Sequence, residues 1–282
     1  MFGPVLHVLR YKRASLDRLV DEINATGFGL TFGLHTRLDE TIARVVGRIE
    51  AGNIYVNRNI IGATVGVQPF GGSGLSGTGP KAGGPLYLLR LVAEPPKVWP
   101  EGEPDPALRI FADALASQGF AGEAERAAAL RTPLGARLEL AGPVGERNVY
   151  LLKPRGLIAA LAQSETGLRL QIAAILATGN DAAMERRPAG LPASLSHRIH
   201  AFADPLAAPQ LAGALLEGEG DTVAETARRL AARSGPILRL QALSPAALAA
   251  GEDFDLAGLV EERVVSTNIA AAGGNASLMT IG

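Results

Sequence analysis

Residues 28–56, FGLTFGLHTRLDETIARVVGRIEAGNIYV, contain the strand–helix–strand pattern that sets the fold class. Residues 28–34 are predicted to form a strand, and residues 54–56 form a further short strand. The segment between them has apolar residues at helical spacing, namely Ile42, Val45, Val46 and Ile49. Gly52 is placed to end the turn after this helix. Alternation of strands and helices indicates βαβ units and a mostly parallel sheet.

Outward from this stretch, the chain alternates short apolar runs with amphipathic segments. Residues 5–9 are predicted to form a strand, and residues 16–23 a helix with Ser15 as its N-cap. The second half is rich in alanine and has two predicted strands, at 137–140 and 148–153. Its predicted helices cover residues 107–118, 123–130, 168–178, 208–216 and 222–233.

Composition excludes several classes of protein. The chain has 282 residues, 47% of them hydrophobic, and a formal net charge of −1. This near-neutral balance argues against nucleic-acid binding through a basic face. No apolar run approaches the roughly 20 residues that a transmembrane helix needs. The chain has no cysteine, so it has neither a disulfide nor a cysteine nucleophile, and we expect a cytoplasmic protein.

Two segments differ in composition from their surroundings. Residues 62–85 are dense in glycine, which indicates positive φ angles or a backbone that another group approaches closely. Residues 93–106 combine five prolines with three glutamates and are predicted to be a stiff linker. The linker divides the chain into residues 1–92 and residues 107–282.

The motifs by themselves are weak. Residues 72–77 match G-x-G-x-x-G, but no strand precedes them and no helix follows directly, so the classical dinucleotide fingerprint is rejected. Composition alone favours a tight connecting turn for these glycines and core packing for Phe70. His197 and His200 lack the acidic partner of a metal-binding motif, so no metal site is predicted.

Longer stretches carry a family resemblance. FGPVL at 2–6, EAGNIYVN at 50–57 and QPFGGSGLSGTG at 68–79 resemble, in order and spacing, the last part of the aldehyde dehydrogenase catalytic domain. The loop SGTGPKAGGP at 76–85 is similar, more narrowly, to glutamate-semialdehyde dehydrogenases. The end of the chain, residues 266–282, resembles the tail of the long forms of the bifunctional proline utilization A family.

The resemblance implies an α/β fold in two parts. Residues 1–92 would be the C-terminal part of an aldehyde dehydrogenase catalytic domain. Residues 107–282 would be a second aldehyde-dehydrogenase-like, Rossmann-like domain that is not catalytic. QIAAILATGN at 171–180 is similar to the helix that enters the family's cofactor domain. Glu185 stands where the family usually has a lysine for the adenosine ribose, so we expect that this second domain does not bind NAD.

The resemblance also implies roles for single residues. Phe2 would lie beside the nicotinamide ribose, Phe70 would line the aldehyde tunnel, and Gly83 and Gly84 would anchor the α-carboxylate of the substrate. Lys81 is expected to be a solvated surface residue. No catalytic residue is assigned, because the family's nucleophile is a cysteine and its ribose-binding glutamate would precede residue 2, where Met1 stands. Most of the NAD site would lie upstream.

Three functional hypotheses follow. In the first, the chain is the C-terminal portion of an NAD-dependent L-glutamate γ-semialdehyde dehydrogenase of proline catabolism, inactive alone. Its partners would be glutamate semialdehyde, the upstream part of the enzyme and further copies in an oligomer, and FAD would belong only to an upstream proline dehydrogenase domain. In the second, the chain is a non-catalytic lid or oligomerisation module that complements a separate dehydrogenase chain. An unrelated small-molecule binding protein remains a third, weaker alternative. Apolar surfaces of residues 1–92 are expected to be exposed in the isolated chain.

Overall fold

A computed structural model describes residues 3–88, 91–92 and 101–270. The α-helices are α1 (Leu16–Ala25), α2 (Asp39–Arg48), α3 (Pro85–Leu88), α4 (Pro106–Ser117), α5 (Ala121–Ala129), α6 (Glu165–Ala177), α7 (Asp221–Ala231) and α8 (Pro245–Ala249). The strands are β1 (Phe28–Gly29), β2 (Thr31–Leu34), β3 (Asn53–Val56), β4 (Ser73–Gly74), β5 (Arg137–Leu140), β6 (Glu146–Pro154), β7 (Leu157–Leu161), β8 (Asp181–Met184), β9 (Ile199–Ala201), β10 (Leu211–Glu217), β11 (Arg239–Leu243) and β12 (Val260–Asn268).

One sheet contains strands from both ends of the chain. Its strand order is β2-β3-β12-β6-β5. Strand β12 pairs in parallel with β3 on one side and in antiparallel with β6 on the other. The predicted division at residues 93–106 therefore does not separate the sheets, because residues 260–268 complete the sheet that residues 31–56 begin. The division into domains stays a prediction, and residues 93–100 lie outside the described part of the chain.

A second sheet, β11-β10-β7-β8-β9, is parallel throughout. Helix α6 is apolar on nearly all sides and packs in the core between this sheet and helices α4 and α5. A helix that is hydrophobic all round must be buried, and parallel strands are normally covered on both faces. This arrangement is the Rossmann-like α/β architecture that the sequence predicts.

Most predicted elements are present, and two are wrong. Residues 211–217 form strand β10, not part of a helix, because this apolar run is buried on both faces between β7 and β11. A short apolar run has no periodicity that distinguishes a buried strand from a buried helix. Residues 5–9 form no strand, and their side chains are exposed, since no described strand lies beside them to complete a ladder.

Within the described residues, we find no helix with the length and apolar character that crossing a bilayer requires. The exposed surface of the first segment carries large apolar side chains, as expected. They include Leu6, Val8, Leu9, Ile61 and Val65, with exposures between 70% and 97%.

Candidate functional site

Two of the predicted site residues line one open cleft of about 290 Å³. Phe70 and Ala82 form an isolated antiparallel bridge, in which each amide donates to the other residue's carbonyl at 2.9–3.0 Å. Gly83 follows Ala82 and lies at the same wall. The glycine-dense loop is thus folded beside a hollow, with Phe70 and Gly83 brought together. Phe2 lies outside the described residues.

Residues 81–84 form a tight turn at the edge of this cleft. The amide of Gly84 donates to the carbonyl of Lys81 at 3.0 Å, and Gly83 at the third position has a φ of +73°. That angle favours glycine in such a turn. A Cβ built on Gly83 would meet no atom within 4 Å, so the requirement for glycine there is conformational.

Gly84 is glycine for a different reason. A Cβ at this position would lie 2.6 Å from Oε1 of Glu262, a contact that real side chains do not make. The amide of Gly84 donates to the carbonyl of Lys81 within the turn. The two predicted anchor glycines therefore have different surroundings. Gly83 faces the cleft, whereas Gly84 packs on a buried carboxylate.

Lys81 is buried rather than solvated, which corrects the sequence-based expectation. Only 2% of the residue is exposed, and its ammonium donates to Oδ1 of Asn53 at 3.2 Å and to the carbonyl of Gly71. Burial lowers the pKa of Lys81 to about 8, although the nearby Glu262 carboxylate opposes this shift. The sequence around Lys81 does not indicate that its side chain is buried, because the groups that enclose it come from distant segments.

Asn53, at the start of β3, holds the backbone segment around Phe70, which lines the cleft. Its side-chain amide donates to the carbonyl of Pro69 at 2.9 Å, and its Oδ1 accepts from the amide of Gly71 at 3.1 Å. Asn53 is fully buried. Both hydrogen bonds fix the backbone on either side of Phe70 and so fix the direction of its side chain.

Glu262, on β12, lies beneath the turn and was not identified from the sequence. Its Oε2 accepts the amide of Lys81 at 2.6 Å, and its Oε1 accepts the hydroxyl of Tyr150 at 2.8 Å. Burial raises the pKa of Glu262, while the Lys81 amide and the Tyr150 hydroxyl pull it down. Because 181 residues separate Glu262 from Lys81, no local pattern connects them.

The part of the cleft lined by Gln68 is also tied to the second segment. Gln68 donates from its side-chain amide to Oδ1 of Asn148 at 2.9 Å and to the carboxylate of Glu146, both on β6. Arg58 pairs with the same Glu146 carboxylate at 2.5 Å. These polar groups are largely buried, so they fix the walls of the cleft rather than line an open surface.

The Rossmann-like sheet offers a second place to look for a cofactor, the amino end of α6. There, Oε2 of Glu217 accepts the amides of Gln163 and Ser164 at 2.8 and 2.7 Å, and its Oε1 accepts the Ser164 hydroxyl at 2.8 Å. Glu217 is 3% exposed. In Rossmann folds a nucleotide pyrophosphate lies at such a helix end. The chain's own carboxylate fills this position, so these residues do not fit NAD. Glu185 is exposed after β8.

Comparisons with known proteins agree with this architecture. Residues 1–93 match the aldehyde dehydrogenase family. The chain is 55% identical over 295 aligned residues to the bifunctional protein PutA of Rhizobium meliloti and 43% identical over 318 to that of Escherichia coli K12. Both alignments cover 100% of this chain but only 24% and 23% of the relatives. The chain thus spans about a quarter of the length of these proteins.

A shorter similarity and a solved structure add to this. The chain is 44% identical over 89 residues to 1-pyrroline-5-carboxylate dehydrogenase of Bacillus subtilis, an alignment that covers 32% of this chain and 17% of that protein. The structure of proline utilization A from Corynebacterium freiburgense matches with a TM-score of 0.58 and 27% identity, covering 90% of this chain and 24% of that one. The chain is therefore similar, along its whole length, to the C-terminal region of the bifunctional PutA proteins, and its first 93 residues match the aldehyde dehydrogenase family.

Proposed function

We propose that the chain supplies the substrate-carboxylate end of an NAD-dependent L-glutamate γ-semialdehyde dehydrogenase, which oxidises this aldehyde to glutamate in cytoplasmic proline catabolism. The observation that carries the proposal is the cleft that Phe70 lines together with Ala82 and Gly83 of the glycine turn at 81–84. The similarity to 1-pyrroline-5-carboxylate dehydrogenase supports this substrate class.

In this proposal the turn binds the α-carboxylate of the substrate. Gly83 has no side chain and borders the cleft, so an anion can approach its backbone closely. The other amides of the turn already have acceptors within the protein, so the group that would attract the anion is the amide of Gly83. Phe70 provides an apolar wall for the carbon chain of the aldehyde. Gly84 contributes by letting the turn pack on Glu262.

The reacting groups would come from outside this chain. Family chemistry uses a cysteine thiolate, and the chain contains none, so we propose that it is inactive alone. NAD accepts the hydride when it is bound, and most of its site would belong to the upstream portion, with Phe2 beside the nicotinamide ribose. FAD would belong only to a proline dehydrogenase portion.

A second candidate is a lid or oligomerisation module for a separate dehydrogenase chain. The observation that favours it is the exposed apolar surface of the first segment, including Leu6, Val8 and Ile61. Such surfaces commonly mark interaction sites. A covalently attached upstream domain, a separate chain or a second copy would each cover this surface.

The test compares three preparations: the 282-residue chain, the chain fused to the upstream part of the Rhizobium meliloti relative, and the two parts purified separately and mixed. NADH formation is measured with L-glutamate γ-semialdehyde and with propanal, which has no carboxylate. We expect no activity from the chain alone. The fusion should prefer the carboxylated aldehyde by at least about tenfold in kcat/KM, which corresponds to about 1.4 kcal/mol.

The outcomes separate the candidates. NADH formation by the chain alone would refute the proposed inactivity. A fusion that oxidises both aldehydes equally well would refute the role of the glycine turn. Full activity of the mixed parts, equal to that of the fusion, would favour the module that complements a separate chain.

A further inference from the structure

We propose that Glu262 is the positioning residue for the substrate turn, so that a side chain of the second segment sets the geometry of residues 81–84. The inference rests on the proposed function for the turn's role toward substrate. Its structural part, that Glu262 holds the turn, stands on contacts alone.

The Glu262 carboxylate touches both ends of the turn. Oε2 accepts the amide of Lys81 at 2.6 Å, at the first position. Oε1 lies 2.6 Å from the place of a Cβ on Gly84, at the fourth position. Ala82 and Gly83, between these contacts, face the cleft. The turn therefore lies with its ends on the carboxylate and its middle toward the cleft.

The carboxylate is itself held in place. Oε1 accepts the hydroxyl of the fully buried Tyr150 on the neighbouring strand β6. Glu262 shares its face of β12 with Val260 and Val264, which are buried in the apolar cluster beside it. A side chain with both oxygens bonded and its stem packed has little freedom, so it transmits the position of β12 to the turn.

The physical role follows from the chemistry of the Lys81 amide. This amide is buried, and leaving a buried donor without an acceptor destabilises the conformation that buries it. When Glu262 is shortened, the turn can satisfy the amide only by moving toward water. Gly83, with its left-handed φ, has no side chain to restrain it. The backbone that faces the cleft would then shift by more than a carboxylate-binding site tolerates.

The first experiment measures hydrogen exchange in the complete 282-residue chain. In Glu262→Ala and Glu262→Asp, we expect the Lys81 amide to exchange at least about tenfold faster than in the wild type, since a charge-assisted hydrogen bond is lost. The Val264 amide, which donates to the carbonyl of Gly52 at 2.9 Å, reports on the sheet and should keep its protection.

Glu261→Ala is the matched control. Glu261 neighbours Glu262 on β12, points to the opposite face, and pairs with Lys153 at 3.2 Å. Its charge acts on the Lys81 ammonium, so this variant shows whether loss of a nearby charge alone changes the exchange of the Lys81 amide. It should leave the Lys81 amide unchanged. Equal protection of that amide in wild type and both Glu262 variants would overturn the proposal, as would equal loss at Lys81 and Val264. If Glu262→Ala does not fold, the exchange rate of the Lys81 amide in Glu262→Asp, which keeps the charge, tests the proposal.

The second experiment uses the fusion enzyme. We expect Glu262→Asp to raise KM for L-glutamate γ-semialdehyde about tenfold, with kcat and the KM for propanal within about twofold of the wild type. A general structural defect would instead lower kcat for both aldehydes, and that result would overturn positioning. If the wild-type fusion does not oxidise the semialdehyde, the proposed function fails, while the exchange experiment still decides whether Glu262 holds the turn.

Discussion

At the scale of single residues, the burial of Lys81 has a direct consequence for stability. Its ammonium has lost nearly all contact with water. Hydrogen bonds to Asn53 and to the carbonyl of Gly71 partly replace the lost hydration. Desolvation disfavours the charged form, which is why the pKa of Lys81 falls from 10.5 to about 8. The folded state therefore binds this proton less tightly than the unfolded state does.

The depressed pKa predicts a pH-dependent stability. Between about pH 8 and pH 10.5 the unfolded chain is more protonated at Lys81 than the folded chain, so the free energy of unfolding should rise with pH. Below pH 8 the cost of the buried charge is constant. From pH 7 to pH 10 this one group should add about 2 kcal/mol, measured by urea unfolding as the difference between wild type and Lys81→Met.

Lys12→Met is the control for this prediction. Lys12 is exposed ahead of α1 and is not one of the charged groups that act on the pKa of Lys81, so its removal should leave the alkaline rise intact. If Lys81→Met and the wild type show the same pH dependence from pH 7 to pH 10, Lys81 does not titrate as described.

At the scale of elements, a carboxylate of the chain itself occupies the amino end of α6. Glu217 at the end of β10 bonds to the backbone of residues 163 and 164 and to the hydroxyl of Ser164. A Cβ on Gly167 would lie 2.2 Å from Oε2 of Glu217, so Gly167 allows the carboxylate to approach the helix end. The side chain occupies the volume and satisfies the donors that a phosphate would use.

Removing this carboxylate should open an anion site. Glu217→Ala is expected to lower the free energy of unfolding by about 2–4 kcal/mol, because buried amides lose a charged acceptor. Sulfate should restore part of this loss by binding the vacated helix end. The measurement is urea unfolding in sodium sulfate and in sodium chloride of equal ionic strength.

Two controls separate binding from the general effect of sulfate, which stabilises most proteins. The wild type and Glu219→Ala, an exposed position on the following loop, show how much sulfate raises the free energy of unfolding without a helix-end site. A sulfate increment for Glu217→Ala no larger than theirs would show that the helix end is not an anion site once the carboxylate is gone.

At the scale of the whole molecule, strand β12 joins the two segments. It pairs with β3 of the first segment and β6 of the second. Arg263 on this strand donates to the carbonyls of Val46 and Ile49 at the end of α2, at 3.0 and 2.5 Å. Strand β12 therefore contacts the first segment in three ways: through its backbone, through the cationic Arg263 and through the carboxylate of Glu262.

This joining predicts that the segments associate as separate chains. Residues 1–92 and 101–282, coexpressed with one affinity tag, should copurify in equal amounts and remain together on gel filtration. Arg263→Ala should weaken the complex, because the two α2 carbonyls lose a buried cationic donor. Arg137→Ala, an exposed position on β5, is the control. Elution of the two parts as separate species would contradict the joining role of β12.

The sequence by itself determined several helices, the short strands near residues 28–34, 54–56, 137–140 and 148–153, and the family resemblance. Apolar residues at helical spacing predicted α1 and α2, because helical periodicity is a property of neighbouring residues, and alanine-rich stretches predicted α4, α5, α6 and α7. The glycine density marked residues 62–85 as a special backbone, and the motif spacing pointed to the aldehyde dehydrogenases, which the family match confirmed. Phe70 and Gly83 were predicted as site residues, and both border the cleft.

Only the tertiary structure decided what surrounds these residues. Strand β10 was mistaken for a helix because burial on both faces removes periodicity, and Lys81 was mistaken for a surface residue because its partners are distant in sequence. Glu262 and Glu217 carry no local signal, since each acts on a backbone 53 or more residues away. Desolvation and hydrogen bonding depend on which groups meet in space, and that depends on the pairing of strands from opposite ends of the chain.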